Sequence, residues 1–499
     1  MNPKTEVLIA GAGPVGLTLA AELTRYGVSV RIVEKNAQRT DKSKALVVWS
    51  RTLELMDRLG CSENFLATGL KSAAANISAG TEPIARISFE NADTHYPFAL
   101  MIAQSETERL LEEFLNKLGV QVERTVELTT LTKSPTGVTS TLRYADSHEE
   151  TIESSWLVGC DGAHSTVRHQ LGMEFEGSTQ ASDWLLADTR ISGVPHPNEI
   201  SAFWHSEGVL IIFPITPGRY RVIADSGVAD PSHPRPDPTL EEVQAVLDQR
   251  GPGGIKISDP IWLATFHINE RKVADYQSGH VFLVGDAAHI HSPAGGQGMN
   301  TGMQDAFNLA WKLALVIDGT CAESPVLASY SPERSAVGDQ VLKAAGRFTD
   351  VAILKGAVKQ SVRNHLASFL CGLAPFRKIA VDMMEEVSIN YPDSPLNAGG
   401  ARKGPHPVEG ERAPVREAEQ PVGAGEKPRF ALCGETSETF AKLVAQYPNL
   451  LEPSLRKPYR DGGLWLVRPD GYVALSTKAG DWDAVTAYLG RITKESGAV

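Results

Sequence analysis

The chain has 499 residues with a formal net charge of −12, and 42% of the residues are hydrophobic. This length suits two or three globular domains, and the acidic balance without a basic stripe argues against a nucleic-acid partner. The scattered cysteines without a CxxC pair and the lack of a run of about 18 apolar residues argue against a disulfide framework, a metal site and a membrane span, and favour a cytoplasmic protein.

The first predicted element is a strand, a glycine turn, a helix and a second strand between Val7 and Glu34. Gly11 allows a sharp turn, Gly13 allows the backbone to approach a pyrophosphate, and Gly16 allows close packing of the helix. Glu34, at the end of the second strand, can accept hydrogen bonds from ribose hydroxyls. The pattern predicts a dinucleotide site at the helix N-terminus, although it does not separate FAD from NAD and a glycine-rich turn can also occur in an empty α/β domain.

The remaining predicted elements follow an α/β, then a β, then a helical and finally a second α/β pattern. Helices are predicted at Trp49–Leu59, Ser105–Leu118 and Asn300–Ile317, over most of Pro325–Ser388, and at Ser437–Gln446 and Trp482–Ile492. Strands are predicted at Val120–Val126, Val138–Tyr144, Trp156–Cys160, Trp184–Ile191, Ile200–Trp204, Val209–Pro214, Tyr220–Ala224, Val281–Gly285, Phe430–Cys433, Leu464–Arg468 and Tyr472–Leu475. A Pro-rich loop is predicted at Pro231–Pro238 and a linker at Asn397–Lys427.

Two further motifs each stand between a predicted strand and a predicted helix. One contains Asp161-Gly162 and Arg168, and the other runs from Gly285-Asp286 to Asn300. In the second, an Asp at a strand end can hold a polyol hydroxyl and the glycine run can bring bare backbone to a flat ring. The positive end of the following helix would stabilise negative charge on that ring.

With these three motifs in this order, the chain resembles the group A flavin-dependent aromatic hydroxylases, in particular the polyketide, phenol and rifampicin monooxygenases. The resemblance covers essentially the whole chain. It implies an α/β fold with a Rossmann-like FAD-binding domain, an inserted antiparallel β-sheet substrate domain and a C-terminal thioredoxin-like domain. The implied boundaries are residues 1–75, 98–178 and 272–395 for FAD with a helical extension, 76–97 and 179–271 for substrate, and 396–499 for a linker and the tail.

The same resemblance implies which residues contact FAD. They are Gly11, Gly13, Pro14, Gly16, Glu34, Lys35, Lys44, Arg51, Gln104, Asp161, Arg168, Asp286, Pro293, Gly296, Gly298, Met299 and Asn300. Lys44 stands where relatives usually have an arginine and lacks its fork geometry. The tail has no CxxC, so we expect it to serve packing or oligomerisation rather than dithiol chemistry.

The implied activity is a single-component, NADPH- or NADH-consuming monooxygenase that uses FAD and O2 to hydroxylate a phenolic or polycyclic aromatic substrate through a flavin C4a-hydroperoxide. Trp49, Trp204, Phe213 and Pro214 are candidates for the substrate lining, with core packing as the alternative for each. No catalytic residue is assigned; the candidates are His205, His267, His289 and Pro293. We expect a monomer or homodimer with a small aromatic substrate and no nucleic acid or membrane partner.

Other functions remain open at this point. The same fold could carry a halogenase or a dehydrogenase, although the absence of a WxWxIP segment weakens the halogenase hypothesis. A flavin-holding binder without turnover is a further alternative. No second complete GxGxxG is present, which argues against the disulfide-reductase type and its second nucleotide domain.

Overall fold

A computed structural model of the chain describes residues 4–230, 232–293, 295–352, 357–399, 404–416 and 419–494. The parts of the sequence predictions that fall on residues 1–3, 231, 294, 353–356, 400–403, 417–418 and 495–499 lie outside the described residues. Of the helices that are described, none is long and apolar enough to cross a membrane.

The described residues form α-helices and β-strands in a mixed order. The helices are α1 (Pro14–Arg25), α2 (Ser50–Leu59), α3 (Ser62–Thr68), α4 (Gln104–Lys117), α5 (Thr166–Gln170), α6 (Leu240–Arg250), α7 (Gly298–Ile317), α8 (Glu323–Val326), α9 (Tyr330–Ala352), α10 (Ala357–Gly372), α11 (Ala374–Met384), α12 (Glu438–Gln446) and α13 (Trp482–Ile492), with 3-10 turns at Gly285–Ala287 and Leu327–Ser329. The strands are β1 (Lys4–Ala10), β2 (Val30–Glu34), β3 (Val47–Val48), β4 (Leu70–Ser72), β5 (Ala74–Ala79), β6 (Glu82–Ser88), β7 (Ala99–Met101), β8 (Glu123–Arg124), β9 (Val126–Ser134), β10 (Gly137–Tyr144), β11 (Glu149–Gly159), β12 (Glu176–Ser192), β13 (Ile200–His205), β14 (Gly208–Thr216), β15 (Arg219–Val228), β16 (Lys256–Lys272), β17 (Gln277–Ser278), β18 (Val281–Leu283), β19 (His289–Ile290), β20 (Ala431–Cys433), β21 (Gly463–Val467) and β22 (Val473–Lys478).

The first sheet is the nucleotide-binding type of sheet that the opening motif predicts. Its order is β17-β18-β11-β1-β2-β8, with β10 and β9 attached to β11, and β1 pairs in parallel with both β2 and β11. The side chains of Val7, Leu8 and Ile9 are fully buried, as is typical of a central strand in a parallel sheet. Ligands bind at the carboxyl ends of such parallel strands, where the loops after β1, β2, β11 and β18 meet.

The second sheet forms the β layer expected between the nucleotide-binding elements. Its order is β19-β16-β12-β15-β14-β13-β5-β6, and it is antiparallel except for the β13–β5 pair. The strands β5 and β6 come from a separate part of the chain and complete its edge. The sheet therefore combines strands from residues 74–88, 176–272 and 289–290.

The C-terminal segment forms a three-stranded antiparallel sheet, β20-β21-β22, with α12 and α13. The described parts of the predicted linker are not free chain. Gly410 donates its backbone N–H to Val473, Ala413 donates to Gly471, and Arg412 forms an ion pair with Glu54 of α2. A segment rich in Gly, Pro and charge therefore packs along the last sheet instead of connecting two independent bodies.

Several elements differ from the sequence predictions in extent or existence. The helix α6 and the 17-residue strand β16 fall in a region where the sequence indicated only shorter strands and a loop. Thr239 caps α6 through a capping box with Glu242, a local signal that the surrounding strand pattern obscured. The strands β11 and β12 extend well beyond their apolar centres because their exposed ends pair with polar neighbours in the sheets.

Candidate functional site

A cavity of about 610 Å³ lies where the two large sheets meet. Most of the residues expected to contact FAD line it. Those residues are Gly11, Gly13, Pro14, Glu34, Lys35, Lys44, Gln104, Asp161, Asp286, Pro293, Gly296, Gly298 and Met299. Phe213 and Arg221 line the same cavity from the second sheet. The structure thus brings together loops that are up to 288 residues apart in sequence, from Gly11 to Met299.

The glycine turn after β1 has the geometry that its spacing predicts. Gly11 has a φ of +101°, and a Cβ there would lie 2.4 Å from the carbonyl oxygen of Cys160. A Cβ on Gly16 would lie 2.0 Å from the carbonyl oxygen of Gly11, so Gly16 allows α1 to pack against the turn and does not itself line the cavity. At Gly13 a Cβ would meet no atom within 4 Å, which leaves space for a ligand beside the uncapped N-terminus of α1.

Glu34 stands at the end of β2 with its carboxylate turned towards this turn. Its Oε2 accepts a hydrogen bond from the Ala12 N–H at 3.0 Å, and its Oε1 accepts one from the Asn36 N–H at 2.9 Å. Oε1 also accepts from Asn36 Nδ2 at 2.6 Å. These contacts fix the carboxylate at the cavity wall, and Oε2, which accepts only from Ala12 among the described residues, keeps a free lone pair. Lys35 and Asn36 extend the same wall.

Asp161 and Gln104 complete the middle of the cavity. Asp161 Oδ2 accepts a hydrogen bond from the Val167 N–H at 3.1 Å, and burial raises the pKa of this carboxyl group. Gln104 Oε1 accepts a hydrogen bond from the Ala45 N–H, and its Nε2 donates to Glu108. Gln104 therefore supports the loop that carries Lys44, whose side chain also lines the cavity.

The third motif supplies an acid and a helix end. Asp286 lies in a tight turn between β18 and β19, with its side chain exposed to the cavity. Desolvation by the protein around the cavity raises the pKa of its carboxyl group, while His289 and Lys44 act in the opposite direction. The helix α7 begins at Gly298 with no side-chain cap. Its first N–H groups are therefore available to a ligand, next to the positive end of the helix dipole.

The second sheet closes the cavity with residues of β14 and β15. Phe213 and Ile223 present half-buried apolar side chains to it. Arg221 was not anticipated from the sequence. Its guanidinium forms a two-point ion pair with Asp188, with both contacts at 2.7 Å, and donates to the carbonyls of Ser43 and Lys44. An arginine facing a buried aspartate across neighbouring strands can be recognised only once the strand register is known.

Besides Gly16, three of the predicted FAD contacts lie outside the cavity lining and have other partners. Arg51 is 5% exposed, binds Glu54 and donates to the carbonyl of Asp470 in the C-terminal segment. Arg168 donates to the carbonyl of Ala163 in the second motif and to that of Ala287 in the third motif, so it links these two loops. Asn300 donates to the carbonyls of Val47 and Gly296 and accepts from the Trp49 N–H. Their placement supports the loops around the cavity.

Of the predicted substrate residues, one lines the cavity and the others do not. Phe213 lines the cavity, whereas Trp49, Trp204 and Pro214 are buried outside its lining. Trp49 donates its Nε1–H to the carbonyl of Gly295 at 2.9 Å and thereby supports the glycine loop. Trp204 packs under the guanidinium of Arg363, 4.4 Å from the ring centre. For Trp49, Trp204 and Pro214 the core-packing alternative fits their placement.

None of the three histidines considered as a base lines the described cavity. His289 is 1% exposed and its Nε2 pairs with Asp305 at 2.7 Å, while His267 pairs with Asp183 on an exposed surface. His205 lies at the end of β13. Pro293 does line the cavity, and its carbonyl accepts from the Gly296 N–H.

His291, two residues beyond His289, lines the cavity and was missed in the sequence. Its Nδ1 lies 3.0 Å from the carbonyl of Ser292, and burial lowers its pKa to about 4. The imidazole is therefore neutral near pH 7, with Nδ1 as the donor. His291 directly follows β19 and lies between Asp286 and Pro293 of the third motif, and this position in the motif could have indicated it.

Comparison with known proteins identifies the family. A family model described as "FAD binding domain" matches residues 4–345. The chain belongs to this FAD-binding family. It is 33% identical to 6-methylpretetramide 4-monooxygenase of Streptomyces rimosus, over 97% of this chain and 93% of that protein. It is 34% identical to a 12-dehydrotetracycline 5-monooxygenase/anhydrotetracycline 6-monooxygenase of Streptomyces rimosus subsp. rimosus, over 82% of this chain and 80% of that protein.

The solved structure of the OxyS anhydrotetracycline hydroxylase from Streptomyces rimosus superposes with a TM-score of 0.81 at 30% identity, covering 98% of this chain and 99% of that chain. The protein is an FAD-dependent monooxygenase of this FAD-binding family, as the names of these relatives and the family model together support. The resemblance inferred from the three motifs is therefore confirmed.

The residues around the cavity fit FAD. Open space at Gly13 beside an uncapped helix end suits a pyrophosphate, and the carboxylate of Glu34 suits ribose hydroxyls. The carboxyl group of Asp286 faces the cavity and suits a polyol chain, and the second uncapped helix end suits the electron-rich edge of a flavin. The groups that would contact FAD are thus distributed along the cavity, from the adenosine end of the dinucleotide to its flavin end.

Proposed function

We propose that this monooxygenase hydroxylates a polycyclic phenolic substrate at the end of the cavity where the second sheet meets the third motif. The observation that carries the proposal is that one cavity is lined both by the nucleotide-binding loops and by Phe213 and Ile223 of the second sheet. A ring held against Phe213 would lie beside Pro293 and Gly296. No separate substrate chamber is needed.

The relatives support this substrate class. The names of the matched proteins include 6-methylpretetramide, anhydrotetracycline and pentachlorophenol monooxygenases, the last 34% identical over 70% of this chain. These substrates are aromatic, and the first two are polycyclic. A partly apolar cavity wall from an antiparallel sheet is a suitable surface for such a flat ring system.

In this proposal, different residues of the cavity bind different parts of FAD. Gly13 and the N-terminus of α1 bind the pyrophosphate, and Glu34 binds the adenosine ribose. Lys44, Gln104 and Asp161 lie along the middle of the dinucleotide, and Asp286 binds the ribityl chain. When bound, FAD accepts hydride from NADPH or NADH and activates O2 for transfer of one oxygen atom to the substrate.

The chain's residues near the ring orient the substrate and exclude water. Phe213 and Ile223 supply the apolar wall, and the N-terminus of α7 with Gly298 and Met299 stabilises negative charge at the edge of the flavin. His291 is neutral and its Nδ1–H is directed to the Ser292 carbonyl, so we assign it no proton transfer. A phenol in this site would lose its proton to water or to another group of the cavity.

We also propose that the C-terminal segment has a thioredoxin-like fold. Its three-stranded sheet flanked by α12 and α13 supports this proposal. The segment contains Cys433 and no CxxC, so the proposed role is packing. The predicted domain boundaries and a monomeric or homodimeric state remain part of the same proposal.

The function can be tested with purified protein reconstituted with FAD. Oxidation of NADPH and of NADH is followed in the presence of simple phenols and of polycyclic phenols such as anhydrotetracycline, and products are analysed by mass spectrometry under 18O2. We expect substrate-stimulated oxidation and a product that carries one labelled oxygen atom.

The alternatives give different results in the same assay. A dehydrogenase would transfer hydride without labelled product, and a halogenase would require halide for any product. A binder would change the flavin spectrum with substrate but consume no nicotinamide cofactor. Protein that remains colourless after incubation with FAD would contradict the whole proposal.

A further inference from the structure

A buried aspartate on α7 contacts both ends of the turn that carries Asp286. Asp305 is 0% exposed, and its Oδ2 accepts hydrogen bonds from the Gly285 N–H at 3.1 Å and from His289 Nε2 at 2.7 Å. Gly285 and His289 are the first and last residues of the turn. A single carboxylate oxygen therefore closes the segment from which Asp286 projects into the cavity.

The other oxygen of Asp305 is held from the opposite side. Arg334 of α9, also 0% exposed, donates its Nε–H to Oδ1 at 2.5 Å, and its remaining nitrogens donate to Tyr391 Oη and to the carbonyl of Thr301. Burial alone would raise the pKa of Asp305, but Arg334 and His289 lower it. The carboxylate stays ionised and has no freedom to rotate.

We propose that Asp305 is a positioning residue that holds the turn from Gly285 to His289, so that Asp286 is fixed in the geometry that binds FAD. Gly285 has a φ of +62°, which glycine adopts without strain, and a Cβ on it would lie 3.0 Å from the side chain of Val15. Because glycine also leaves the backbone flexible, contacts from outside the turn are needed to fix its conformation. Its remaining freedom is removed by the bonds to Asp305. The proposal rests on the proposed role of Asp286 in binding FAD.

This arrangement also accounts for His289. The ring is buried against Tyr276, and its Nδ1 has no hydrogen-bond partner among the described residues. The contact with the Asp305 carboxylate requires a hydrogen on Nε2, which His289 donates to Oδ2. His289 thus connects the end of the turn to Asp305 and does not face the substrate.

The test is a double-mutant cycle on FAD affinity. Asp305→Asn keeps the shape of the side chain but cannot serve Arg334, His289 and Gly285 together, and Asp286→Ala removes the side chain that the turn presents. We expect each single change to weaken FAD binding by about tenfold or more. If Asp305 acts through Asp286, the double variant binds FAD within about twofold of Asp286→Ala alone.

A matched control separates positioning from general stability. Glu333, adjacent to Arg334 in sequence, is equally buried and charged, but it binds Lys312 and Arg468 and does not touch the turn. Glu333→Gln should lower the unfolding temperature of the apoprotein yet change the FAD dissociation constant by less than about twofold. The visible circular dichroism of bound FAD should change in Asp305→Asn and not in Glu333→Gln.

The outcomes are distinguishable. The inference is overturned if Asp305→Asn binds FAD like the wild type, if the two fold-changes multiply in the double variant, or if Glu333→Gln weakens binding as much. If Asp305→Asn does not fold, His289→Phe takes its place in the cycle, because it removes one bond between Asp305 and the turn. If wild-type protein takes up no FAD, the proposed function fails and this inference falls with it.

Discussion

Asp286 is the residue on which the flavin side of the site depends most directly. Its carboxyl group faces the cavity, and its neighbours in the turn, Gly285, Ala287 and Ala288, are buried and carry no competing polar side chain. A ribityl hydroxyl would find in Asp286 an acceptor that the backbone of the turn cannot replace.

Replacing Asp286 with asparagine should weaken FAD binding about 10- to 100-fold, because a hydrogen bond to a charged group contributes about 1.5–3 kcal/mol. The dissociation constant is measured by quenching of flavin fluorescence. The matched control is Asp318→Asn at the opposite end of α7, where the aspartate is exposed and accepts only from the Thr320 N–H. Equal affinity of the two variants would contradict the assignment of Asp286.

Phe213 offers a corresponding test on the substrate side. Phe213→Ala should raise the KM for a polycyclic phenol by about tenfold, from the loss of apolar contact, and leave the affinity for FAD unchanged. Phe203→Leu is the control, because Phe203 is 3% exposed in the core on the second sheet and does not line the cavity. A KM shift of the same size in both variants would place the substrate elsewhere.

Among the predicted FAD contacts, those predicted from a local pattern, apart from Gly16, are found in the cavity lining. Gly11, Gly13 and Glu34 follow from spacing within one βαβ unit, and Asp286 follows from a strand end. Arg51 was assigned by its position in a motif, yet its partner Asp470 is 419 residues away. The two-point pair between Arg221 and Asp188 likewise depends on strand register, which no local pattern contains.

At the scale of elements, the junction between α11 and α7 contains an unusual acid. Glu386 follows α11 with a φ of +59°, is 1% exposed, and accepts hydrogen bonds from Thr301 Oγ1 and Gln304 Nε2. Burial raises its pKa to about 8. The junction thus holds a carboxyl group that is protonated near pH 7, close to the start of the helix that borders the cavity.

The contribution of Glu386 to the stability of the protein should therefore fall as the pH rises from about 4.5 to 8, and the adjacent Glu385, whose pKa burial also raises to about 8, acts in the same direction. Over this range the folded chain retains the proton on Glu386 that the unfolded chain has lost, so the free energy of unfolding decreases by at most about 1.4 kcal/mol per pH unit from this group. Glu386→Gln mimics the protonated form and should flatten this dependence, with a gain in unfolding temperature at pH 8 and little change at pH 5. Parallel curves for variant and wild type would contradict the prediction.

Element prediction succeeded where a periodic core face dominates. The helix α2 ends at Gly60 in the left-handed conformation, and the predicted end at that residue matches the structure. The strand β16 was missed because its half-exposed residues carry no clean alternation, and its position is fixed by pairing with β12. Strands whose position is fixed by pairing with distant segments are therefore the elements that are hardest to predict from the sequence.

At the scale of the whole molecule, buried charges join the C-terminal segment to the FAD-binding elements. Glu333 of α9 accepts from Lys312 of α7 at 2.8 Å and from Arg468 at 2.6 and 3.0 Å, and all three side chains are fully buried. Burial lowers the pKa of Lys312 to about 8, while Arg468 and Lys312 overcome the effect of burial on Glu333 and lower its pKa. Such a network is costly to break because each remaining charge would stay buried without its partner.

Arg468→Met should consequently destabilise the protein by about 3–5 kcal/mol, the typical result of removing one partner of a buried ion pair. Because Glu333 and Lys312 lie on helices that pack against the nucleotide-binding sheet, we expect the fluorescence of Trp465 in β21 and the release of FAD to report a single unfolding transition at a lower denaturant concentration. Arg460→Met, a change at an exposed arginine of the same segment, is the control and should leave the midpoint unchanged. Two separate transitions in the wild type, with Trp465 responding before FAD is released, would show instead that the C-terminal segment unfolds on its own and that its buried charges do not tie it to the site.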